Sequence, residues 1–172
     1  MLFRSDGFEL AIRAILGQQV SVAGASTVAS RLVKQFGEPI DTTYANLTHH
    51  FPSPEILAAA SIDQIAALGM PGKRAATIKS FAQFTVAGGL SFSTQVPLEE
   101  LVRQLKTLPG IGEWTAQYIA MRALRYPNAF PAGDLGLQKA VTPEGEPRCS
   151  EKALLQRSHA WAPWRSYAAL LL

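Results

Sequence analysis

The chain has 172 residues, 48% of them hydrophobic and 17% charged, a core-forming composition that excludes a disordered chain and suits one sizeable core or two small lobes around a shared cleft. Its net charge of +3 and pI near 9.2 are compatible with nucleic acid but carry little weight alone, because Lys and Arg are scattered rather than clustered. A single cysteine, Cys149, excludes an internal disulfide, a Cys-rich zinc site and a four-cysteine iron–sulfur cluster within the chain, and no uninterrupted apolar run reaches the roughly 18 residues of a transmembrane helix.

The first ten residues, "MLFRSDGFEL", carry charges that interrupt any apolar run, so no secretory signal is expected. With one cysteine, this fits a reducing, cytoplasmic setting. Asp6 is placed to cap a helix over residues 7–19, with Phe8, Ile12, Ile15 and Leu16 on one face. Ser21 caps a second, whose stripe is Val22, Ala25, Val28, Ala29, Leu32, Val33 and Phe36, with Gly37 as the stop. Ser53 with Pro54 opens a third, since proline suits the first helical position. Ser61 or Asp63 opens a short helix that runs into "LGMPGKRAATIKSFAQFTVAGG". "LSFSTQV" alternates like a strand but is short and isolated. Pro97 starts "PLEELVRQLKTL"; a helix to about Arg125 follows "LPGIG". "FPAGDLGLQKAV" reads as a loop entering a helix at Asp134, "TPEGEPR" as a turn-rich linker, and the remainder as two helices broken at Pro163.

"LPGIGEWTAQYIA", residues 108–120, sets a largely apolar helix on a Gly-Ile-Gly hairpin with no polar capping side chain. Gly110 and Gly112 tolerate positive φ and lack a Cβ, and Pro109 donates no hydrogen bond. The first N–H groups of the following helix have no intrahelical partner, and the helix dipole favours negative charge there. Such a hairpin is either a tight interhelical turn or a socket for a phosphate. "LGMPGKRAATI" echoes it weakly, so two Gly/Pro turns before helices could grip two points on one partner.

Together, "LPGIGEWTAQY" and the aspartate twenty residues after Trp114 in "FPAGDLGL" resemble the helix-hairpin-helix DNA glycosylase superfamily. "AILGQQVSVAGAS", "ALGMPGKRA" and "WAPWRSYA" narrow the resemblance to the 3-methyladenine-DNA glycosylase II family, in order along nearly the whole chain. The "PAGDLGL" form also resembles versions fused to, or working beside, the adaptive-response alkyltransferase. The resemblance implies an all-α core over residues 1–172, two helical lobes around a cleft, with a helix-hairpin-helix motif and a Gly/Pro-Asp loop. Relatives commonly carry an N-terminal β-rich domain and a pocket tryptophan after "SYALL"-type sequence, so the chain is expected to lack the first and to stop before the second.

By the same resemblance Asp134 is the catalytic carboxylate. At a helix start the dipole and N–H groups keep an aspartate ionised, and a carboxylate stabilises the positive charge that builds on a sugar as its glycosidic bond breaks. Read without the family, Asp134 is a plain helix cap. Trp114 and Tyr118 lie one turn apart on one helix face and line the base pocket, where aromatic faces attract the cationic 3-methyladenine and 7-methylguanine; in isolation such a pair is more often a core contact than a pocket wall. Bifunctional relatives carry a lysine nucleophile where Trp114 stands, so a monofunctional hydrolase that leaves an abasic site is implied. Gln19 occupies the position of the wedge that fills the stack when a base is flipped out, with Gln18 beside it; the two residues could also merely end a helix. Main-chain N–H groups of Gly110, Gly112 and Thr115 match the phosphate contacts. Lys73 and Arg74, after the second hairpin, either touch backbone phosphate or form a solvated face. Main-chain carbonyls of Lys106, Leu108 and Gly110 match a monovalent-cation site for Na+ or K+, and no other cofactor is required. Glu113 is a departure, because a carboxylate beside a phosphate socket weakens binding.

His49, His50 and His159 lack metal-ligand spacing, Cys149 reads as an incidental thiol, and Arg165 and Tyr167 either buttress the cleft or simply pack. The partner implied is double-stranded DNA with alkylated bases, met by a monomer and without a membrane. The alternative is a non-catalytic DNA-binding module that uses tandem hairpins on phosphates and needs neither Asp134 nor the aromatic face.

Overall fold

A computed structural model describes residues 7–44, 47–90 and 96–172. Among the described residues the chain is helical, with ten α-helices, one 3-10 turn and no strand beyond an isolated bridge between Pro39 and His49. The all-α expectation is met. Asp6, expected as a cap, and all but the ends of the strand-like "LSFSTQV" lie outside the described residues. Two compact units divide the chain: Met1–Thr94 with Leu108–Gly110, and Gln95–Thr107 with Ile111–Leu172.

The first unit begins with α1 (Gly7–Leu16), whose Phe8, Ile12, Ile15 and Leu16 are all buried, as their helical spacing requires. This helix stops at Leu16 rather than running to Gln19, because Gln19 adopts φ +54°, which a right-handed helix cannot contain. In α2 (Val22–Phe36) the Ser21 hydroxyl accepts the Gly24 N–H at 3.1 Å. Of its expected stripe only Ala29 and Leu32 are buried, and Val22 is 85% exposed: the first turn of α2 extends past the core it packs on. Gly37 ends α2 at φ −79°, an ordinary backbone angle; it is glycine for space, since a Cβ there would collide with the carbonyls of Val33 and His50.

Ser53 caps α3 (Pro54–Ala59), and Ser61 caps α4 (Ile62–Ala66) through a reciprocal box with Gln64. Both pack on α5 (Gly72–Val86), which follows Pro71 with no side-chain cap. Phe81 of α5 stacks on Phe8 with ring centroids 5.9 Å apart, joining the buried Leu57, Ile65 and Ile78.

The second unit comprises α6 (Leu98–Leu105), α7 (Glu113–Arg122), α8 (Leu135–Ala140), α9 (Glu151–Ser158), a 3-10 turn (His159–Trp161) and α10 (Arg165–Leu171). Pro97 stands at the start of α6 as expected. The end of α7 falls three residues before the expected Arg125, which itself adopts φ +59° and turns the chain out of the helix. Leu101, Leu105, Ala116, Ile119 and Ala120 are buried where α6 packs on α7. A second cluster of Phe130, Ala132 and Leu154 receives Trp161 edge-on at 5.7 Å and buries part of the loop that enters α8.

Candidate functional site

The Phe130–Asp134 segment is bound on several sides. The Phe130 N–H donates to Gln117 Oε1 of α7 at 3.0 Å, and buried Gln138 of α8 donates through Nε2 to the Ala132 carbonyl at 3.0 Å. Just upstream, the buried Ser166 hydroxyl lies 2.6 Å from the Tyr126 carbonyl and 2.7 Å from that of Ala129, and Arg165 Nε donates to Asn128 Oδ1 at 2.7 Å. Arg165 thus buttresses this loop, whereas Tyr167 is mostly exposed and rests edge-on against Trp164. Gln117, Asn128, Gln138 and Ser166 were not singled out from sequence. The signal for Gln117, Gln138 and Ser166 is a polar residue within a helix, which has meaning once the loop lies against it; Asn128, in the turn after α7, carries no such signal.

So held, Asp134 is the N-cap of α8 and is half-buried. Oδ1 accepts the N–H groups of Gly136 at 2.8 Å and Leu137 at 3.1 Å, and Oδ2 accepts the Trp114 indole N–H at 3.0 Å. All three partners are donors, which matches an acceptor-only carboxylate. Trp114 and Tyr118 are half-buried, with ring centroids 5.3 Å apart and planes tilted by 32°. The carboxylate and the aromatic pair, twenty residues apart in sequence, therefore form one constellation. A cavity of about 130 Å³ is lined by Trp114 with Glu113, Gln117, Gly133, Glu151 and Arg165; neither Tyr118 nor Asp134 lines it.

The hairpin glycines differ in kind. Gly110 has φ +84°, and a Cβ on it would collide with Thr77, whose buried hydroxyl donates to the Lys73 carbonyl at 3.0 Å. Gly112, the N-cap of α7, has φ −92° and ψ −177°, an extended conformation open to any residue, and a Cβ there would meet nothing within 4 Å. Of the two glycines, both able to take positive φ, only Gly110 does so, and the fold makes no demand for glycine at position 112. No side chain caps α7. Thr115, in the first turn of α7, is buried.

The loop before α5 repeats the pattern. Gly69 has φ +100°, Met70 is buried as Ile111 is, and Pro71 precedes a helix without a side-chain cap. Lys73 stands exposed in the first turn of α5.

In the first unit Gln18 Nε2 donates to the Gly110 carbonyl at 3.0 Å, and Arg74 Nη2 donates to the Gln18 carbonyl at 2.5 Å. Gln19 follows, exposed and left-handed. In the second unit the Lys106 ammonium meets the Glu113 carboxylate at 2.7 Å, and Gln117 Nε2 donates to Glu113 Oε1 at 3.1 Å. Burial would raise the Glu113 carboxyl, but these two partners outweigh it and hold it below the usual carboxylate range.

Among the described residues no group of three or more His, Cys, Asp or Glu could hold a metal ion, so a cation here would depend on main-chain carbonyls. Among the same residues no helix is long and apolar enough to cross a membrane.

Comparison with known proteins bears on this geometry. The family model described as HhH-GPD superfamily base excision DNA repair protein matches residues 12–162. A Mycobacterium tuberculosis protein named probable bifunctional transcriptional activator/DNA repair enzyme AlkA is 43% identical over 163 residues, 95% of this chain and 32% of that one. Escherichia coli DNA-3-methyladenine glycosylase 2 is 38% identical over 165 residues, 96% of this chain and 56% of that one. The chain thus spans about a third and about half the length of these two relatives. The solved structure of a 3-methyladenine DNA glycosylase from Archaeoglobus fulgidus superposes with a TM-score of 0.80 at 26% identity, over 96% of this chain and 56% of that one.

Proposed function

The chain belongs to the HhH-GPD superfamily of base excision DNA repair proteins, and from that premise we propose that it is a monofunctional DNA glycosylase that hydrolyses the N-glycosidic bond of alkylated bases. The observation that carries the reading is the pairing of Asp134 with the Trp114–Tyr118 aromatic face. Breaking the bond to a flipped-out nucleotide builds positive charge on the sugar, and a carboxylate held in place by donors stabilises that charge without reorganising. The aromatic faces favour a base already made cationic by alkylation over a neutral one. Such a base is also a good leaving group, so modest assistance suffices. Trp114 offers no amine for a Schiff base, so water completes the reaction and an abasic site remains.

The DNA partner is a duplex containing alkylated bases, bound by a single copy of the chain. Main-chain N–H groups of Gly110, Gly112 and Thr115 take phosphate, Lys73 adds a backbone contact, and Gln19, with Gln18 behind it, fills the space left by the flipped base. A Na+ or K+ ion suits the neutral oxygen donors of Lys106, Leu108 and Gly110; the Gly110 carbonyl accepts one hydrogen bond from Gln18 and keeps a second lone pair. When bound, that ion supplies positive charge against phosphate. Glu113 does not oppose this with a bare charge, because Lys106 pairs with it.

Release of free base from methylated duplex DNA by the wild-type chain and by Asp134→Asn tests the reading. A loss of about 100-fold or more is expected, with duplex affinity within a few-fold of wild type. Equal release by both would remove Asp134 from its role. Tight duplex binding with no release from either would favour the non-catalytic binding module.

A further inference from the structure

We infer that Trp114 is a positioning residue for Asp134: its indole N–H, and not its ring alone, fixes the direction in which the carboxylate presents Oδ2. The inference rests on the catalytic reading of Asp134. Its starting point is an asymmetry in the carboxylate. Both capping hydrogen bonds, from Gly136 at 2.8 Å and Leu137 at 3.1 Å, fall on Oδ1. Oδ2 takes no part in capping α8; it receives the Trp114 indole N–H at 3.0 Å. The terminal torsion of an aspartate is soft, so a carboxylate held by one oxygen still rocks about that bond. A donor on the second oxygen fixes the plane.

An indole suits this task better than the polar side chains that usually do it. It has one hydrogen, lying in the plane of the ring, and it donates only. Its direction is therefore that of the ring, and the ring is set by α7 and by Tyr118, tilted against it at 5.3 Å. Carboxylate oxygens each offer about two lone-pair sites. One site on Oδ2 is taken by the indole, which fixes the direction of the other. A dipole oriented before the reaction costs no rearrangement while charge develops. Trp114 thus has two separable functions: a face for the base, and an edge for Asp134.

The two are separated by replacing the N–H while keeping the ring. In Trp114→Phe, and in a chain with 3-benzothienylalanine at position 114, where sulfur replaces the N–H in a bicyclic ring of nearly the same shape, the single-turnover rate of base release should fall about 10- to 100-fold. The Kd for the methylated duplex should stay within about threefold, because the aromatic face is retained. A second readout needs no turnover. The indole N–H resonance of Trp114, identified by its absence in Trp114→Phe, should move upfield and exchange faster with solvent in Asp134→Ala.

Wild-type single-turnover rates in the benzothienylalanine chain would overturn the inference, as would a loss confined to Kd, which would make Trp114 a binding wall only. An indole resonance indifferent to Asp134→Ala would also overturn it. If Trp114→Phe does not fold, the benzothienylalanine chain, which preserves the packing volume, decides the matter. Asp134→Asn, measured alongside, identifies failure of the premise: undiminished base release there removes the catalytic reading, whereas an inactive Asp134→Asn with a fully active benzothienylalanine chain removes only the role of the indole.

Discussion

Gln19 is a residue that neither its helix nor its core requires. It is exposed at φ +54°, a conformation that costs a side-chain-bearing residue roughly 1–3 kcal/mol and that persists only where neighbours over-determine it. Those neighbours are present: Arg74 holds the Gln18 carbonyl, and the Gln18 amide holds the Gly110 carbonyl. Strain at an exposed tip with no packing role fits a side chain presented to a partner. In Gln19→Gly the backbone strain disappears, and the higher entropy of the unfolded glycine partly offsets the gain. Stability should therefore be unchanged or higher by up to about 1 kcal/mol, while base release from duplex DNA should fall about tenfold or more as the gap filler is lost. Thermal melting and single-turnover rates on the same variant check this. A matched fall in stability and activity would mean that Gln19 only shapes the loop.

At the start of α7 the fold requires one glycine of the hairpin and not the other. Gly110→Ala combines a left-handed backbone with a collision against Thr77, and should destabilise by about 2–4 kcal/mol. Gly112→Ala places a methyl in open space on an extended backbone, so stability should change by less than about 1 kcal/mol. Its duplex affinity should nevertheless fall, because a Cβ blocks the close approach of phosphate to the N–H groups. Gly112→Asp adds a charge and should weaken binding to damaged and undamaged duplexes by a similar factor, since phosphate contacts carry no sequence information. Losing one such contact should lower the slope of log affinity against log salt by about one. Melting temperatures and salt titrations on the three variants check these outcomes; unchanged affinity in a well-folded Gly112→Asp would sink the phosphate socket. The hairpin was visible in the sequence as a run of Pro and Gly. Which glycine answers to the fold was not visible, because the reason is Thr77, which the fold brings beside it.

For the molecule as a whole, the absence of a lysine at position 114 predicts the product: borohydride should trap no protein–DNA adduct during turnover, and the strand should remain intact until the abasic site is cleaved by other means. A trapped adduct on a denaturing gel would contradict the hydrolytic reading. Local chemistry was enough for the helical class and for most helix starts. Ser21, Ser53, Ser61 and Asp134 cap as their sequence contexts require, because a cap and the N–H it accepts lie within three residues of each other. Apolar spacing likewise picked out the buried face of α1. It overstated that of α2, where periodicity marks a stripe but only packing decides how much of it is covered. The sequence placed helix ends at Gln19 and about Arg125, but not their left-handed backbones nor the helix ends three residues earlier, since neither residue type announces such a backbone. The working contacts were beyond any local reading: Gln18 with Gly110 across 92 residues, Ser166 with Tyr126 across 40, and the Trp114 indole with Asp134 across 20. Hydrogen bonds act over about 3 Å, so a side chain's partner is known from sequence only when the chain cannot carry it away; for the rest, it exists once the helices have packed.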